Sequence, residues 1–434
     1  MMQTSLHAIA IAARRDKAKR FRSLYSIFNR ECLEQAYRKL NKDAATGVDR
    51  VNFEEYGEKL EANLIALEER LKQKRYWPRF VRRVEIPKPN GKTRPLGIPA
   101  LEDKIVQQLA SDILTALFEP LFLECSYGYR PHRSAKQAVR DLQAEIRQRY
   151  VWVVEADIKG FFDNLDHSWL LQMVERRVND RAFIELIRRF LKAGVLMPDW
   201  TREYPERGTP QGGIVSPILA NIYLHYVLDL WFKQKVKPES KGEAYLVRYA
   251  DDFVAGFRLH ADAARFYRKL EPRLAKFALE LAKDKSRILR FNRFDKERSE
   301  SFTFLGYEFR QIVTSKGHDT VSAMISRKKL YRTVRAFSLW CSEHREKRIA
   351  WIMGMVKAKL AGIRNYFTLR GNTIRLHQLE VQFKRTLYRW LNRRSERRSY
   401  NWKAFATMWN NFLGVSQYSL ANYGVQLSFV NSLT

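Results

Sequence analysis

Tyr249-Ala250-Asp251-Asp252 sits between two apolar, β-rich runs, Tyr245 to Tyr249 and Phe253 to Phe257, and the whole reads as strand, tight turn, strand with acids at the tip. Neighbouring side chains on a straight strand point to opposite faces, so only a turn lets Asp251 and Asp252 converge on one point. Two readings follow: a solvated hairpin tip, or a pair of oxygen donors for a hard cation. A second β-rich run, Val151-Trp152-Val153-Val154-Glu155-Ala156-Asp157, also ends in a carboxylate and leads into Ile158-Lys159-Gly160-Phe161-Phe162. That third acid favours the cation. Mg²⁺ takes one or two carboxylates together with waters and substrate phosphates, and two such ions clamp the attacking and leaving oxygens of an in-line displacement.

Asp157 followed by two aromatics, then Pro210-Gln211-Gly212-Gly213, then the Tyr249 to Asp252 hairpin, resembles the palm of a reverse transcriptase. Order and spacing are similar to the group II intron-encoded branch of that family, and the resemblance runs from about Phe21 to about Phe412. It implies an α+β multidomain chain with a right-hand polymerase fold. Residues 1–75 would be a helical N-terminal extension that cradles template RNA, 76–315 the fingers and palm, and 316–434 an all-α thumb with maturase character. It also implies that Asp157, Asp251 and Asp252 are catalytic and that, with Ile158, they hold two Mg²⁺ ions.

The same resemblance assigns further roles. Lys88 and Arg94 flank the hairpin signal Asn90-Gly91 and would reach the triphosphate of an incoming nucleotide; solvated hairpin charges are the alternative. Gln211 would contact the nucleotide, while Gly212 and Gly213, lacking Cβ, would let backbone approach the base pair. Phe162 would lie under the sugar and exclude a 2′-hydroxyl, although either Phe161 or Phe162 can be a core residue instead. Lys285 falls where the family carries a lysine near the active site, with a solvated loop lysine as the other reading. Phe304, Leu305 and Gly306 resemble the primer grip. Gly362-Ile363-Arg364-Asn365-Tyr366-Phe367 resembles the maturase segment.

Composition agrees with a nucleic-acid partner. Across 434 residues, 79 Lys and Arg stand against 47 acids, a net charge of +32 that points to a polyanion. No apolar run approaches the roughly 18 to 20 residues that would span a bilayer, so a membrane is not the expected partner. Hydrophobic residues make up 45% of the chain, which supplies an ordinary core rather than disorder. Cys32, Cys125 and Cys341 are odd in number and far apart, which excludes a disulfide framework and fits a reducing compartment. The apolar stretch Leu6 to Ala13 precedes the cluster Arg14, Arg15, Lys17, Lys19 and Arg20, the reverse of a secretory signal. A basic helical arm is the expectation there, with an organellar transit peptide as the alternative.

Helix formers run from Glu58 to Lys74, from Glu102 to Phe118, through Leu170 to Ala193 and from Ser216 to Phe232. Val81 to Ile86 and Lys92 to Ile98 read as a strand pair, Ser126-Tyr127-Gly128-Tyr129-Arg130-Pro131 as a turn-rich loop, and Phe302 to Phe309 as a hairpin. Residues 321–434 carry 21 Lys and Arg against four acids, an excess of 17 in about a quarter of the chain. Helical periodicity runs through this part and is expected to break near Gly362 and Gly371. Arg364, Arg385, Arg389, Arg393, Arg394, Arg397 and Arg398 suit phosphate contacts along structured RNA.

The leading expectation is an RNA-directed DNA polymerase that binds group II intron RNA, assists its splicing and copies it into DNA during mobility. Its partners would be intron RNA, an RNA template with a DNA primer, deoxynucleoside triphosphates and target DNA. The expected place is the bacterial cytoplasm, on the nucleoid as a ribonucleoprotein, or an organelle. No Cys or His cluster suits an appended metal-dependent nuclease, so second-strand cleavage is not expected of this chain. Two other readings stay open: a domesticated relative in DNA repair, phage defence or CRISPR adaptation, and a non-catalytic splicing chaperone. Against the last, buried carboxylates without a cation would be costly to keep.

Overall fold

The computed structural model of the chain describes residues 2–87, 93–148, 151–209, 212–292, 299–313, 317–369, 371–394 and 399–414. They form two compact units, one of residues 1–134 with 152–289 and one of 135–151 with 290–434.

In the first unit the N-terminal helices and the strands that follow share one core, so no break in packing falls at residue 75. Eight strands make two four-stranded sheets: β1 (Val81–Pro87), β2 (Thr93–Ile98), β3 (Trp152–Ala156), β4 (Val195–Leu196), β5 (Arg202–Glu203), β6 (Ala244–Tyr249), β7 (Asp252–Phe257) and β8 (Arg287–Arg290). Their orders are β2-β1-β4-β5 and β6-β7-β3-β8. In β7, Phe253 to Phe257 are all buried, which suits an interior strand packed on both faces.

Helix Leu101–Phe118 runs through the core and is buried nearly all round, including Asp103, Lys104 and Gln107. Each of these polar groups has a partner. Asp103 accepts from Tyr76 Oη at 2.5 Å and from the Arg79 N–H at 2.9 Å. Lys104 donates to the Ala45 carbonyl at 2.6 Å, and Gln107 Oε1 accepts the Ile214 N–H at 2.8 Å. Helix His167–Glu175 starts at Asp166, whose carboxylate accepts the Trp169 N–H. Helix Arg181–Leu191 starts at Asp180 in the same way and buries Phe183, Ile184, Ile187, Phe190 and Leu191 at helical spacing. The helix beginning at Ser216 is α-helical only to Leu224. It continues as π-helix over His225–Asp229 and again over Phe232–Val236 before ending at Glu239.

The second unit packs helix Ala135–Gln148, a three-stranded sheet and four helices. The sheet, of β9 (Phe302–Phe304), β10 (Tyr307–Val313) and β11 (Asp319–Ile325), has the order β11-β10-β9. The Gln143 side chain donates to the Val321 carbonyl at 2.7 Å and ties the first helix to β11. Helices Arg327–His344, Ile349–Phe367, Thr373–Leu391 and Trp402–Leu413 follow, with Phe337 stacked on Phe383 at 3.9 Å.

Two expectations change here. The described residues of the expected all-α region do not begin as helix: β11 pairs along the whole of β10, with Val321, Ala323 and Ile325 buried at the strand period and Ser322 buried between them. Gly362 does not interrupt its helix, since it lies within Ile349–Phe367 with open space where a side chain would be. Gly371, at φ 93°, does separate two helices. No described helix is long and apolar enough to cross a membrane.

Candidate active site

β3 runs antiparallel to β7 with Ala156 opposite Phe253, so the next residue, Asp157, comes level with Asp252 at the start of β7. On the other side of β7, Tyr249 pairs with Asp252 and leaves Ala250-Asp251 as a two-residue turn. Ala250 is left-handed, with φ 55°. Such a conformation costs a non-glycine residue on the order of 1 kcal/mol and survives only where its surroundings hold it. Here the Ala250 carbonyl accepts from Arg248 Nη1 at 2.9 Å. The backbone of Gly128 packs directly against Ala250, at a place where any Cβ would strike the Ala250 nitrogen.

Arg248 is the anchor of this turn. All five of its N–H donors are used: Nε and Nη2 grip the Asp229 carboxylate at 2.7 and 2.6 Å, Nη1 reaches Asn221 Oδ1 and the Ala250 carbonyl, and Nη2 also reaches Ser126 Oγ at 2.7 Å. Both charged side chains are 0% exposed. Asn221 in turn donates to the Gly128 carbonyl at 2.7 Å, and main-chain bonds join Arg248 to Cys125 and Tyr127. The loop read from sequence only as turn-rich is therefore part of the site's support. Ser126 and Gly128 stand in the sequence only as members of that loop, and none of Arg248, Asp229 or Asn221 is marked there as a site residue. The available signal was an arginine within an otherwise apolar strand.

Beyond β3 the chain runs beside residues 280–282, with Ile158 bridged to Leu281 and the Asp157 carbonyl accepting the Ala282 N–H at 2.9 Å. This brings up Lys285, whose Nζ donates to Asp157 Oδ2 at 2.7 Å. The bond to Asp157 raises the Lys285 pKa, so the ammonium is firmly charged. Lys285 is exposed to solvent, as the alternative reading has it, and at the same time paired with Asp157.

A cavity of about 640 Å³ is lined by Asp157, Asp251, Asp252, Arg94, Phe162 and Lys285 among others. Its walls withdraw water from Asp251 and raise its carboxyl, with like charge from Asp157 adding to the effect. Asp252 rises to about 6, chiefly through the same loss of solvation, then through Asp251 and Asp157, although the residue's own surface stays exposed. Three acids that repel one another within one cavity form an all-oxygen donor set suited to a hard divalent cation. Among the described residues no three His, Cys, Asp or Glu side chains form a ready metal cage. A Mg²⁺ ion that keeps waters and takes substrate phosphates requires none.

Arg94 lies on β2 opposite Ile86, faces the same cavity and lowers the pKa of Asp251. Phe161 is 2% exposed and belongs to the core, whereas Phe162 is half-buried; both rings border the cavity. The Phe162 carbonyl accepts the Thr209 N–H, which docks the incoming loop on this turn. Gly212 follows at φ 112°, where a Cβ would strike the Gly97 carbonyl, so the position requires glycine. Ile158 is buried and has only its carbonyl to offer an ion. Lys88, Gln211, Arg397, Arg398 and the Asn90-Gly91 turn lie outside the described residues.

The remaining candidates belong to the second unit, described separately. Leu305 and Gly306 form the turn between β9 and β10, both left-handed at φ 52° and 82°, with Phe304 paired to Tyr307. The Leu305 carbonyl accepts from Tyr366 Oη at 3.1 Å. Arg385, Arg389 and Arg393 are exposed. Two others are engaged internally: Arg364 pairs with Glu380 at 2.7 Å, and Arg394 donates to the Lys347 carbonyl at 2.7 Å.

Residues 86–309 match the family described as reverse transcriptase (RNA-dependent DNA polymerase). The group II intron-encoded protein LtrA of Lactococcus lactis subsp. cremoris is 43% identical over 180 residues, 39% of this chain and 30% of that protein. Protein YkfC of Escherichia coli K12 is 33% identical over 317 residues, 65% of this chain and 80% of that protein. Nuclear intron maturase 2, mitochondrial, of Arabidopsis thaliana is 27% identical over 175 residues, 31% of this chain and 24% of that protein. The chain belongs to the reverse transcriptase family, in the branch of group II intron-encoded reverse transcriptases and maturases. The stretch it shares with LtrA spans less than a third of that relative's length.

Proposed function

We propose that the chain is an RNA-directed DNA polymerase that uses deoxynucleoside triphosphates on an RNA template with a DNA primer, and that it binds group II intron RNA and assists its splicing. One observation carries the polymerase reading: Asp157, Asp251 and Asp252 line a single cavity together with Arg94 and Lys285, in a chain of this family. In this reading residues 76–315 supply fingers and palm, residues 1–75 the template-side extension, and residues 316–434, through their basic helices, the thumb and the intron-RNA surface.

Asp157, Asp251 and Asp252, with the Ile158 carbonyl, would hold two Mg²⁺ ions. When bound, these supply charge neutralisation at the primer 3′-oxygen and at the leaving pyrophosphate. Arg94 neutralises the triphosphate from the β2 side. Phe162 takes the place beneath the sugar and excludes a 2′-hydroxyl by contact. Lys285 holds Asp157 in place while nucleotide enters and is itself charged, so it can follow the incoming phosphates. Phe304, Leu305 and Gly306 would hold the primer strand.

The test is primer extension on an annealed RNA template with Mg²⁺. Asp251→Ala is expected to lower the rate by at least a hundredfold while RNA affinity stays within a few-fold. Near-normal extension by this variant would remove the assignment.

A further inference from the structure

A second cavity of about 840 Å³ lies in the first unit and shares no lining residue with the candidate active site. Its cations are Arg20, Arg176, Lys235, Arg273 and Lys276, against one acid, Glu175. Its floor is aromatic, from Trp169, Tyr226, Trp231 and Phe277. The Arg176 guanidinium lies over the Tyr226 ring at 5.4 Å, and that of Arg273 over Trp231 at 5.7 Å and Phe277 at 4.6 Å.

The helix distortion explains how these groups meet. Leu230 N–H bonds the His225 carbonyl and Lys237 N–H bonds the Phe232 carbonyl, both five residues back. An α-helix of about 3.6 residues per turn would set Tyr226 and Trp231 some ~140° apart, whereas the wider π turn brings both to the groove. Arg273 caps the distortion, donating to the Tyr226 and Val227 carbonyls at 2.9 Å each. Two of its five donors are thereby committed to the fold. Arg176, Lys235 and Lys276 are exposed at the groove.

We infer that this groove is a binding site for single-stranded nucleic acid, with Arg176, Lys235 and Lys276 on phosphates and bases stacked on the ring and guanidinium planes. A positive groove with planar π surfaces is the recurring chemistry of single-strand binding. Its volume suits one or a few nucleotides. The inference does not depend on the polymerase reading, and its test separates the two.

The triple variant Arg176→Gln, Lys235→Gln, Lys276→Gln in the full chain is compared with the native protein. Probes are labelled oligouridylate RNA and oligothymidylate DNA over a range of salt, with an acidic peptide, oligoglutamate, as the protein-like alternative. Three lost phosphate contacts should flatten the salt slope by about 2 and weaken binding roughly tenfold for at least one strand. Extension of a short preannealed duplex should remain at the native rate. Independently, 4-thiouridine in the RNA should crosslink the native protein at Trp169, Tyr226 or Trp231, a readout that does not depend on the variant folding. Unchanged affinity and slope, crosslinks confined to other residues, or charge-dependent binding of oligoglutamate in place of either strand would overturn the inference.

Discussion

Arg248→Met tests the support of the carboxylate turn. The substitution keeps an unbranched chain of similar length but removes all five donors and leaves the Asp229 carboxylate buried without a counter-charge. Breaking a buried pair from one side costs about 3–5 kcal/mol, of which the stranded charge is the larger share. Asn221, Ser126 and the Ala250 carbonyl also lose a donor, so the upper end of that range is expected. Urea denaturation of the first unit measures this. Adding Asp229→Leu removes the stranded charge, and apolar replacement of a whole buried pair is often neutral, so the double variant should regain most of the stability. It should not regain polymerase activity, because the left-handed Ala250 is still released and with it the aim of Asp251 and Asp252. Primer extension should therefore stay at least tenfold low in the double variant. Two results would refute the reasoning: a loss under about 1 kcal/mol for Arg248→Met, which is the worth of a single ordinary bond, or native extension by the double variant.

Asp252 has a folded-state pKa of about 6, above the usual carboxylate value near ~4, so the metal-free fold binds its proton more tightly than the unfolded chain does. The contribution of Asp252 to the stability of the metal-free protein should therefore fall as pH rises from about 4 through 6 and level off above. Asp252→Asn should make the melting temperature fall less steeply over that pH range and reduce stabilisation by Mg²⁺ at neutral pH; thermal melts across pH, with and without Mg²⁺, check both. Phe162→Ala should raise ribonucleotide over deoxyribonucleotide incorporation at least tenfold in single-nucleotide kinetics. Unchanged discrimination would take the sugar contact away from Phe162.

The pattern of the chain carried the outline of the site because its elements are local. Apart from Arg248, β6 and the part of β7 after Asp252 are apolar runs, and a two-residue turn between them sets Asp251 beside Asp252; Asp157 likewise follows directly on the apolar end of β3. What the periodicity of a strand cannot state is which strands are neighbours. The pairing of Ala156 with Phe253, and thus the meeting of Asp157 with Asp252, arises from the sheet order. The choice between Phe161 and Phe162 was open for a similar reason: adjacent identical rings differ only in which one the core takes.

By itself the sequence determined the charge of the partner, the oxygen chemistry of the acids and the family, since these rest on residue type and order. Tertiary structure alone decided that Lys285 meets Asp157 across 128 residues and that Arg248, in an apolar strand, is saturated by Asp229, Asn221, Ser126 and Ala250. It also decided that two π turns gather a basic, aromatic groove on a helix whose sequence reads as ordinary. Each of these depends on contacts between distant segments, where one buried charge or one shifted helical register selects its partner from what the fold has already placed beside it.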